Sequence, residues 1–293
     1  MNRHETVEKC FSDIMDLKGN DEFKEAIKRL HVFLMNKEAR SLNRLTLPNY
    51  LWVAKRGGGI TTLINAFANY LYATKAIEFC GIAKSFEFKL EYVAPDRPFM
   101  ELTRFHVTKS GYAGRNRYFK GVVCVDINDW LERAHEDHFA DFLSYVSSNN
   151  DKFLVIFCIH TDAVNALEAI ETALSTNLRI ETLKLRFPNV DELVELVISK
   201  SQEHGFDYIE ESKALLGEAI KEISSGKQFN GYKTINRLTE VMLYSILTTG
   251  LHGHTQIISA DMLYGHSKDS EYVKREKARI NAKKKIGFTE RDM

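Results

Sequence analysis

The feature that most constrains the fold is a pair of short, almost wholly apolar segments. GVVCVD (121–126) and KFLVIFCIH (152–160) are short for helices, and the helical pattern WLERAHEDHFADFLSYV lies between them. A continuous apolar run of this length is typical of a strand that is buried on both faces of a parallel sheet. Parallel strands need a crossover connection, so this alternation predicts an α/β fold with a parallel sheet.

Other segments extend the alternation and then end it. Residues 1–45 are predicted to be helical, LTLPNYLWVA to enter a buried strand, and Thr61 to Thr74 to form a helix. SFEFKLEYV (85–93) and MELTRFHV are predicted strands, and ALEAIETALS is a predicted helix before a strand in LRIETLKLRF. After a boundary near Phe187-Pro188, three helical patterns follow one another: NVDELVELVISKSQEHG, ESKALLGEAIKEISS and YKTINRLTEVMLYSILTTG. The α/β part is therefore followed by an all-α part.

Composition excludes several classes of protein. Forty basic and forty acidic residues cancel, so the chain is not a polycation that coats nucleic acid. No apolar stretch approaches the roughly 18 residues of a membrane span, and the N-terminus has no apolar signal core, so we expect a cytoplasmic protein without membrane contact. The four cysteines are far apart, which argues against a zinc ribbon or a disulfide framework. Cys124 and Cys158 lie in apolar runs and are predicted to be buried thiols.

LWVAKRGGGITTL has the outline of a phosphate-binding loop. A short apolar run tightens into Gly57, Gly58 and Gly59 and closes on Thr61 and Thr62 before a helical pattern. In such a loop the glycines let backbone amides surround the phosphates, a lysine after the last glycine contributes positive charge, and a hydroxyl holds Mg²⁺. Ala54 stands at the first glycine position of that motif and Ile60 at its lysine position.

Four further patterns follow this loop in order. VVCVDIND (122–129) is an apolar strand that ends on Asp126, and KFLVIFCIHTD places His160 after the next strand. LRIET places Arg179 and Glu181 two residues apart in the predicted strand LRIETLKLRF, and NGYKTINRL (230–238) opens the last predicted helix.

Together these patterns resemble an AAA+ ATPase, most closely the branch of the red-type rubisco activases and sporulation stage V protein K. The resemblance runs from about Ile14 to Leu247. It implies the AAA+ P-loop fold, a three-layer sandwich with a parallel sheet followed by a small all-α lid. The implied organisation is an N-terminal helical segment (1–45), an α/β subdomain (46–188), a helical lid (189–266) and a basic tail (267–293).

The resemblance also assigns roles to individual residues. Asp126 matches the Walker B aspartate, and Thr61 and Asp126 would hold Mg²⁺ where a nucleotide binds. Asp129 is a candidate for the missing catalytic glutamate, Arg179 matches an arginine finger, and Tyr112 in GYAG (111–114) matches the aromatic pore loop. The residues expected to contact ATP or ADP are Lys55, Arg56, Gly57, Gly58, Gly59, Thr61, Thr62, Asp126, Asn230 and Lys233.

Four departures from the family pattern each remove a group that touches phosphate or water. Ile60 replaces the lysine, Ile127 replaces the catalytic glutamate, Glu181 falls at one finger arginine, and Tyr232 replaces the lid arginine. An apolar side chain does not neutralise a triphosphate, and an arginine finger matters greatly to the rate. The sequence therefore predicts a pseudo-ATPase with no cofactor, or with weakly bound ATP or ADP and Mg²⁺.

Three hypotheses for the function remain open from the sequence. The first is a scaffold or regulatory subunit with a protein partner, as a homo-oligomer or in a ring with an active AAA+ subunit. The second is a divergent, active ATPase that remodels protein substrates, in which Lys55 or Arg56 replaces the lost lysine. The third is a nucleic-acid-associated adaptor that uses Arg115, Arg117, Tyr118 and Lys120 and the tail 268–293, with its nine Lys/Arg against five Asp/Glu.

Two pairs of histidines are candidate metal sites. The predicted helix over WLERAHEDHFADFLSYV places His135 and His138 three residues apart on one face, a spacing that suits a shared metal, although no third ligand is apparent. His252 and His254 fit a loop better than a metal site.

Overall fold

A computed structural model describes residues 3–39, 46–79, 84–90, 120–150, 153–160, 164–208, 210–226, 228–248, 257–258, 275 and 278–280. The described helices are α1 Arg3–Met15, α2 Asp21–Ala39, α3 Ile60–Thr74, α4 Asp137–Ser148, α5 Val164–Asn177, α6 Val190–Glu203, α7 Glu210–Ser224 and α8 Gly231–Thr248, with a 3-10 turn at Asn128–Trp130. The described strands are β1 Asn49–Ala54, β2 Ser85–Lys89, β3 Gly121–Asp126, β4 Phe153–Ile159, β5 Ile180–Leu185, β6 Asp207–Tyr208 and β7 Ile257–Ile258.

Five parallel strands form the main sheet, in the order β2-β3-β4-β1-β5. The predicted parallel α/β fold is therefore confirmed. From β1 the chain passes to β2 at one edge, whereas from β4 it passes to β5 on the far side of β1. Ligands of open α/β sheets bind outside the carboxyl ends of the strands at such a reversal of strand order, so the ends of β1, β3 and β4 are the place to look for a site.

The central strands β1, β3 and β4 are buried on both faces of the sheet. Successive side chains of a strand point to opposite sides, and helices cover each side. Trp52 of β1 lies in one core with helices α1, α2 and α3, and its ring is 5.4 Å from that of Phe23. Leu51 and Phe157 lie in the other core, against α4 and α5, together with Trp130. These are the three layers expected from the sequence.

The two cysteines of the central strands are buried, as predicted. Cys124 on β3 and Cys158 on β4 are free thiols, and their sulfur atoms lie 3.1 Å apart. The hydrogen bond with Cys158 and burial raise the pKa of the Cys124 thiol. A neutral thiol suits this apolar position, because burial penalises the thiolate.

A second compact unit contains the described residues from Phe187 onward together with Arg56–Gly59. Helices α6, α7 and α8 pack around Leu193, Ile220 and Met242. Asn189 begins α6 with a capping box: its side chain accepts from the amide of Glu192, whose carboxylate accepts from the amide of Asn189. Such a box satisfies two amides at a helix start. The three predicted helices are therefore present.

The prediction for the helix after β3 needs correction. The helix predicted over WLERAHEDHFADFLSYV begins only at Asp137, because the preceding residues form the 3-10 turn and further turns around the buried Trp130. His135 precedes that helix, so His135 and His138 do not share a helical face. The helical segment predicted over 1–45 is present in its described residues as α1 and α2, with left-handed backbone at Gly19 and Asn20 between them.

None of the helices within the described ranges is long and apolar enough to cross a membrane.

Asn49 provides a test of the sheet. Its side chain is 1% exposed; Oδ1 accepts from the Val155 amide at 2.8 Å, and Nδ2 donates to Asn150 Oδ1 at 2.9 Å. Replacing Asn49 by Ala leaves the Val155 amide without this acceptor, so we expect a loss of about 1–3 kcal/mol in the free energy of unfolding. Urea denaturation measures this loss.

The matched control is Asn65→Ala on the exposed face of α3, where Asn65 Oδ1 accepts a hydrogen bond from Ser85 Oγ at 2.9 Å. We expect that change to stay within about 0.5 kcal/mol. Equal losses for the two variants would contradict the role given to Asn49.

Candidate functional site

The loop that follows β1 requires glycine at two positions. β1 ends at Ala54 and α3 begins at Ile60, so the loop comprises Lys55–Gly59. Gly57 has a φ of +88° and Gly59 a φ of +84°. Residues with a Cβ rarely adopt this conformation. The backbone conformation of the loop therefore explains the glycines at positions 57 and 59.

Ile60, at the position matched to the lysine, is used for packing. It is the first residue of α3, and its half-buried side chain packs against the core formed with α1 and α2. Thr61 and Thr62 are exposed. Thr61 Oγ1 donates to Glu87 Oε2 at 3.2 Å. The hydroxyl matched to the magnesium ligand thus contacts a carboxylate of β2.

Asp126 belongs to a polar cluster at the carboxyl ends of three neighbouring strands. Its Oδ1 accepts from the backbone amide of Asn128 at 3.0 Å and from the Asn128 side-chain amide, and its Oδ2 lies 3.8 Å from His160 Nε2. The His160 amide donates to Asn128 Oδ1 at 2.8 Å, and His160 Nδ1 lies 3.2 Å from the Ala54 carbonyl oxygen. We call Ala54, Asp126, Asn128 and His160 the strand-end cluster.

Ile127 and Asp129, the residues at and near the glutamate position after Asp126, are both held by contacts of their own. Ile127 is fully buried, and its amide donates to the Cys158 carbonyl at 3.0 Å. The proposed substitute, Asp129, required the strand to continue past Asp126, but β3 ends there and Asp129 lies in the 3-10 turn. Its Oδ2 is 2.8 Å from Lys89 Nζ. Asp129 is therefore part of an ion pair with β2.

The loop glycines contact the start of α8 within the second unit. The Tyr232 amide donates to the Gly57 carbonyl oxygen at 3.1 Å. A Cβ on Gly57 would lie 2.4 Å from the Asn230 carbonyl, and a Cβ on Gly231 would lie 2.4 Å from the Gly57 oxygen. A Cβ on Gly59 would lie 3.2 Å from the Tyr232 ring. We call this set of five residues the loop–helix contact.

Asn230 begins α8 and belongs to this contact. Its amide donates to Thr234 Oγ1 at 2.8 Å, and its carbonyl accepts from the Lys233 amide at 3.1 Å. Its buried side-chain oxygen has no hydrogen-bond donor among the described residues. Lys233 is exposed one turn into the helix. Burying an unsatisfied carbonyl costs about 1–3 kcal/mol, so the close packing at Gly57 has an energetic cost.

The structure separates Arg179 from the strand-end cluster. Arg179 precedes β5 and lies at the amino edge of the parallel sheet, where its Nη1 is 3.4 Å from the Thr46 carbonyl oxygen. Glu181 pairs with Arg29 of α2 at 2.8 Å. The two predicted phosphate cations of the loop, Lys55 and Arg56, are both exposed.

The sequence carries a local signal for one member of the strand-end cluster that the motif comparison misses. Asn128 lies two residues after Asp126, the spacing at which an Asp side chain accepts from the backbone of its own chain. The contacts of Thr61 with Glu87 and of Gly57 with Tyr232 join segments far apart in the chain, and no local pattern marks them.

Several predicted residues lie outside the described residues. They are Tyr112, Arg115, Arg117, Tyr118, His252 and His254, the strand MELTRFHV, and most of the tail. Within the part of the chain that is described, no group of three or more His, Cys, Asp or Glu side chains is placed to hold a metal ion.

Comparisons with known proteins agree with this fold. No protein-family model matches the chain, and no curated protein matches it. Two structures of Thermotoga maritima RuvB variants align with TM-scores of 0.52 and 0.53 at 13% identity, over 87% and 88% of this chain and 73% of theirs. A closed-state reconstruction of Hsp104 with ATPγS and FITC-casein aligns at a TM-score of 0.43 and 14% identity, over 88% of this chain and 45% of that one.

The likeness to RuvB shows the fold. At this level of identity it extends to the arrangement of helices and strands and not to the chemistry of a site. The chain therefore shares the fold of these RuvB structures, an α/β unit with a parallel sheet together with a helical unit. The rubisco activase and sporulation stage V protein K branch stays a prediction.

A pair of glycine substitutions tests the loop–helix contact. In Gly57→Ala the new Cβ overlaps Asn230, and the left-handed backbone alone costs a residue with a Cβ about 1–2 kcal/mol. We expect the free energy of unfolding of the second unit to fall by at least about 2 kcal/mol, as measured by denaturation.

The control is Gly217→Ala on α7, where the nearest atom to the new Cβ is Val194 Cγ2 at 3.9 Å. An alanine inside a helix is favoured over glycine by roughly 0.5–1 kcal/mol, so this variant should gain stability. A neutral Gly57→Ala would show that the contact is absent in solution.

Proposed function

We propose that this chain is a pseudo-ATPase with the AAA+ fold, which acts as a scaffold or regulatory subunit for a protein partner. The observation that supports this most is the loop–helix contact, because it uses the loop backbone for packing within the protein. The remaining support comes from the three positions at which a nucleotide would need charge, metal or activated water.

The position matched to the Walker A lysine carries no cation for the negative charge of a triphosphate. The lysine position is Ile60, and its side chain is committed to an apolar core. Burial of phosphate oxygens without a compensating cation is unfavourable by several kcal/mol. Lys55 and Arg56 precede the glycines, and both are exposed to solvent, where screening weakens what they would contribute.

The magnesium position is also altered. Thr61 donates its hydroxyl to Glu87, whose carboxylate would repel a phosphate brought to the same hydroxyl. Asp126 accepts two hydrogen bonds from Asn128 and faces His160. With Ile127 buried, no carboxylate follows Asp126 at the glutamate position. These residues do not fit Mg-ATP, and we derive no hydrolytic step through it.

A scaffold role suits a chain that keeps the fold but lacks the residues needed for ATP hydrolysis. The resemblance to AAA+ proteins implies assembly into rings, in which each subunit completes the site of its neighbour. A subunit of this kind could present Arg179 to an active partner, because that residue lies at the amino edge of the sheet, away from the strand-end cluster. We propose a protein partner, or a second copy of this chain, in the cytoplasm.

Nucleotide binding and turnover test this proposal directly. Titration calorimetry with Mg-ATP should show a Kd weaker than about 1 mM. The binding free energy is then less favourable than about −4 kcal/mol. Phosphate release by the wild-type chain should not exceed that of Asp126→Asn, a variant that keeps an acceptor for the Asn128 amide. The Asn65→Ala variant, which changes none of the residues matched to AAA+ motifs, controls for a contaminating ATPase.

Other results would favour the alternative functions. Phosphate release that Asp126→Asn abolishes and Asn65→Ala retains would establish a divergent ATPase. Salt-dependent binding to single- or double-stranded DNA or to RNA, without nucleotide turnover, would establish the adaptor instead.

A further inference from the structure

A cavity of about 500 Å³ lies in the first unit, between the start of α1 and the end of α3. None of the residues matched to AAA+ motifs takes part in it. Its lining residues are Arg3, Thr6, Tyr72, Ala73, Lys75, Ile77, Glu78 and Phe79. The volume falls in the range of small-molecule sites, which is about 300–1,000 Å³.

Aromatic rings form one wall of this cavity. Tyr72 is 52% exposed, although it is a large side chain on the otherwise well-packed helix α3. The Phe79 ring meets it edge to face, with centroids 5.4 Å apart. Such pairs present a rigid apolar surface to a ligand at little conformational cost.

Positive charge surrounds that wall. The Arg3 guanidinium donates to the Thr74 carbonyl at 2.9 Å, and Lys75 lines the cavity beside it. Lys84 Nζ lies 4.4 Å from the Tyr72 ring centroid and is held there by a 2.8 Å hydrogen bond to Asn69. The acidic lining residue, Glu78, forms an ion pair with Lys120. A ligand would therefore meet an excess of positive charge.

Lys75 adopts a backbone conformation that disfavours lysine. Its φ is +53°, and it closes α3 with hydrogen bonds from its amide to Tyr72 and from the Ala76 amide to Leu71. Glycine is the usual residue at this position of a helix end. A residue held in a rarely populated backbone conformation beside a cavity is a signal of function. Glycine would fit this backbone without strain, so the lysine side chain itself is the feature that needs an explanation.

We propose that this cavity binds a small ligand composed of an aromatic ring system and one anionic group, a carboxylate or a phosphate. The ring packs against Tyr72, Phe79 and Ile77. The anion accepts hydrogen bonds from Lys75 and Arg3. Such a group could be a free nucleotide, or the carboxylate of a small aromatic acid.

A matched pair of fluorescent probes tests the chemistry on the full chain. Anilinonaphthalene sulfonate has an aromatic body with one anion, and N-phenylnaphthylamine has nearly the same body without it. We expect saturable binding of the sulfonate at one site, weaker at high salt, and weaker binding of the neutral probe at every salt concentration. Equal affinities, or binding of the sulfonate that is insensitive to salt, would overturn the proposal.

Variants then locate the probe. Lys75→Gly should weaken sulfonate binding about three- to five-fold while raising the Tm, because it removes the strained backbone; unfolding alone would not produce that combination. Tyr72→Ala should weaken both probes about ten-fold. Tyr244→Ala on α8 removes another exposed tyrosine and should change neither affinity. Sulfonate binding unchanged in both Lys75→Gly and Tyr72→Ala would refute the site.

Competition distinguishes the two sources of ligand. Displacement of the sulfonate by adenosine monophosphate would assign the site to a nucleotide, and displacement by N-acetylphenylalanine would assign it to an aromatic carboxylate. Failure of both at about 10 mM, where affinities near −3 kcal/mol are still detected, would overturn the proposal. All these outcomes are separate from Mg-ATP turnover, so they do not depend on the proposed pseudo-ATPase function.

Discussion

The hydrogen bond from the Tyr232 amide to the Gly57 carbonyl holds the backbone of the loop after β1 against the start of α8. It requires two backbones to approach without side chains, which explains glycine at both 57 and 231. Phosphate loops need glycine for a related reason, because the backbone must come close to the anion. The same residue choice thus serves a contact within the protein. A glycine-rich loop is therefore evidence of close approach, and what approaches it has to be found in the structure.

At the carboxyl ends of the strands, the polar groups of the strand-end cluster also find their partners within the chain. Asp126 receives hydrogen bonds from Asn128, and His160 links the ends of β3, β4 and β1 through Asn128 and the Ala54 carbonyl. Buried or half-buried polar groups cost free energy unless they are satisfied. At the ends of these strands, groups of the chain itself satisfy one another. The strand-end cluster therefore does not depend on a ligand for its hydrogen bonds.

The parts of the fold that were predictable are those set by local composition. GVVCVD was predicted as a strand to the residue, because a strand buried on both faces admits little but apolar side chains. The predicted start of α4 was wrong. A 3-10 turn buries Trp130, and the helical periodicity of the sequence does not distinguish such a turn from the first turn of an α-helix. The partners of Thr61 and Gly57 were not predictable, since they depend on contacts between segments distant in the chain. The sequence shows that Ile60 stands at the lysine position, whereas its packing against the core with α1 and α2 depends on the folded structure.

Hydrogen exchange at the Tyr232 amide tests the central claim, because that proton is the donor to Gly57. Exchange is followed by NMR or by mass spectrometry of the peptide that contains it, with and without saturating Mg-ATP. A backbone amide held in a structural contact exchanges slowly, as its opening requires local unfolding. The account predicts slow exchange without nucleotide and no change when Mg-ATP is added. Rapid exchange without nucleotide, followed by protection on addition of Mg-ATP, would contradict it.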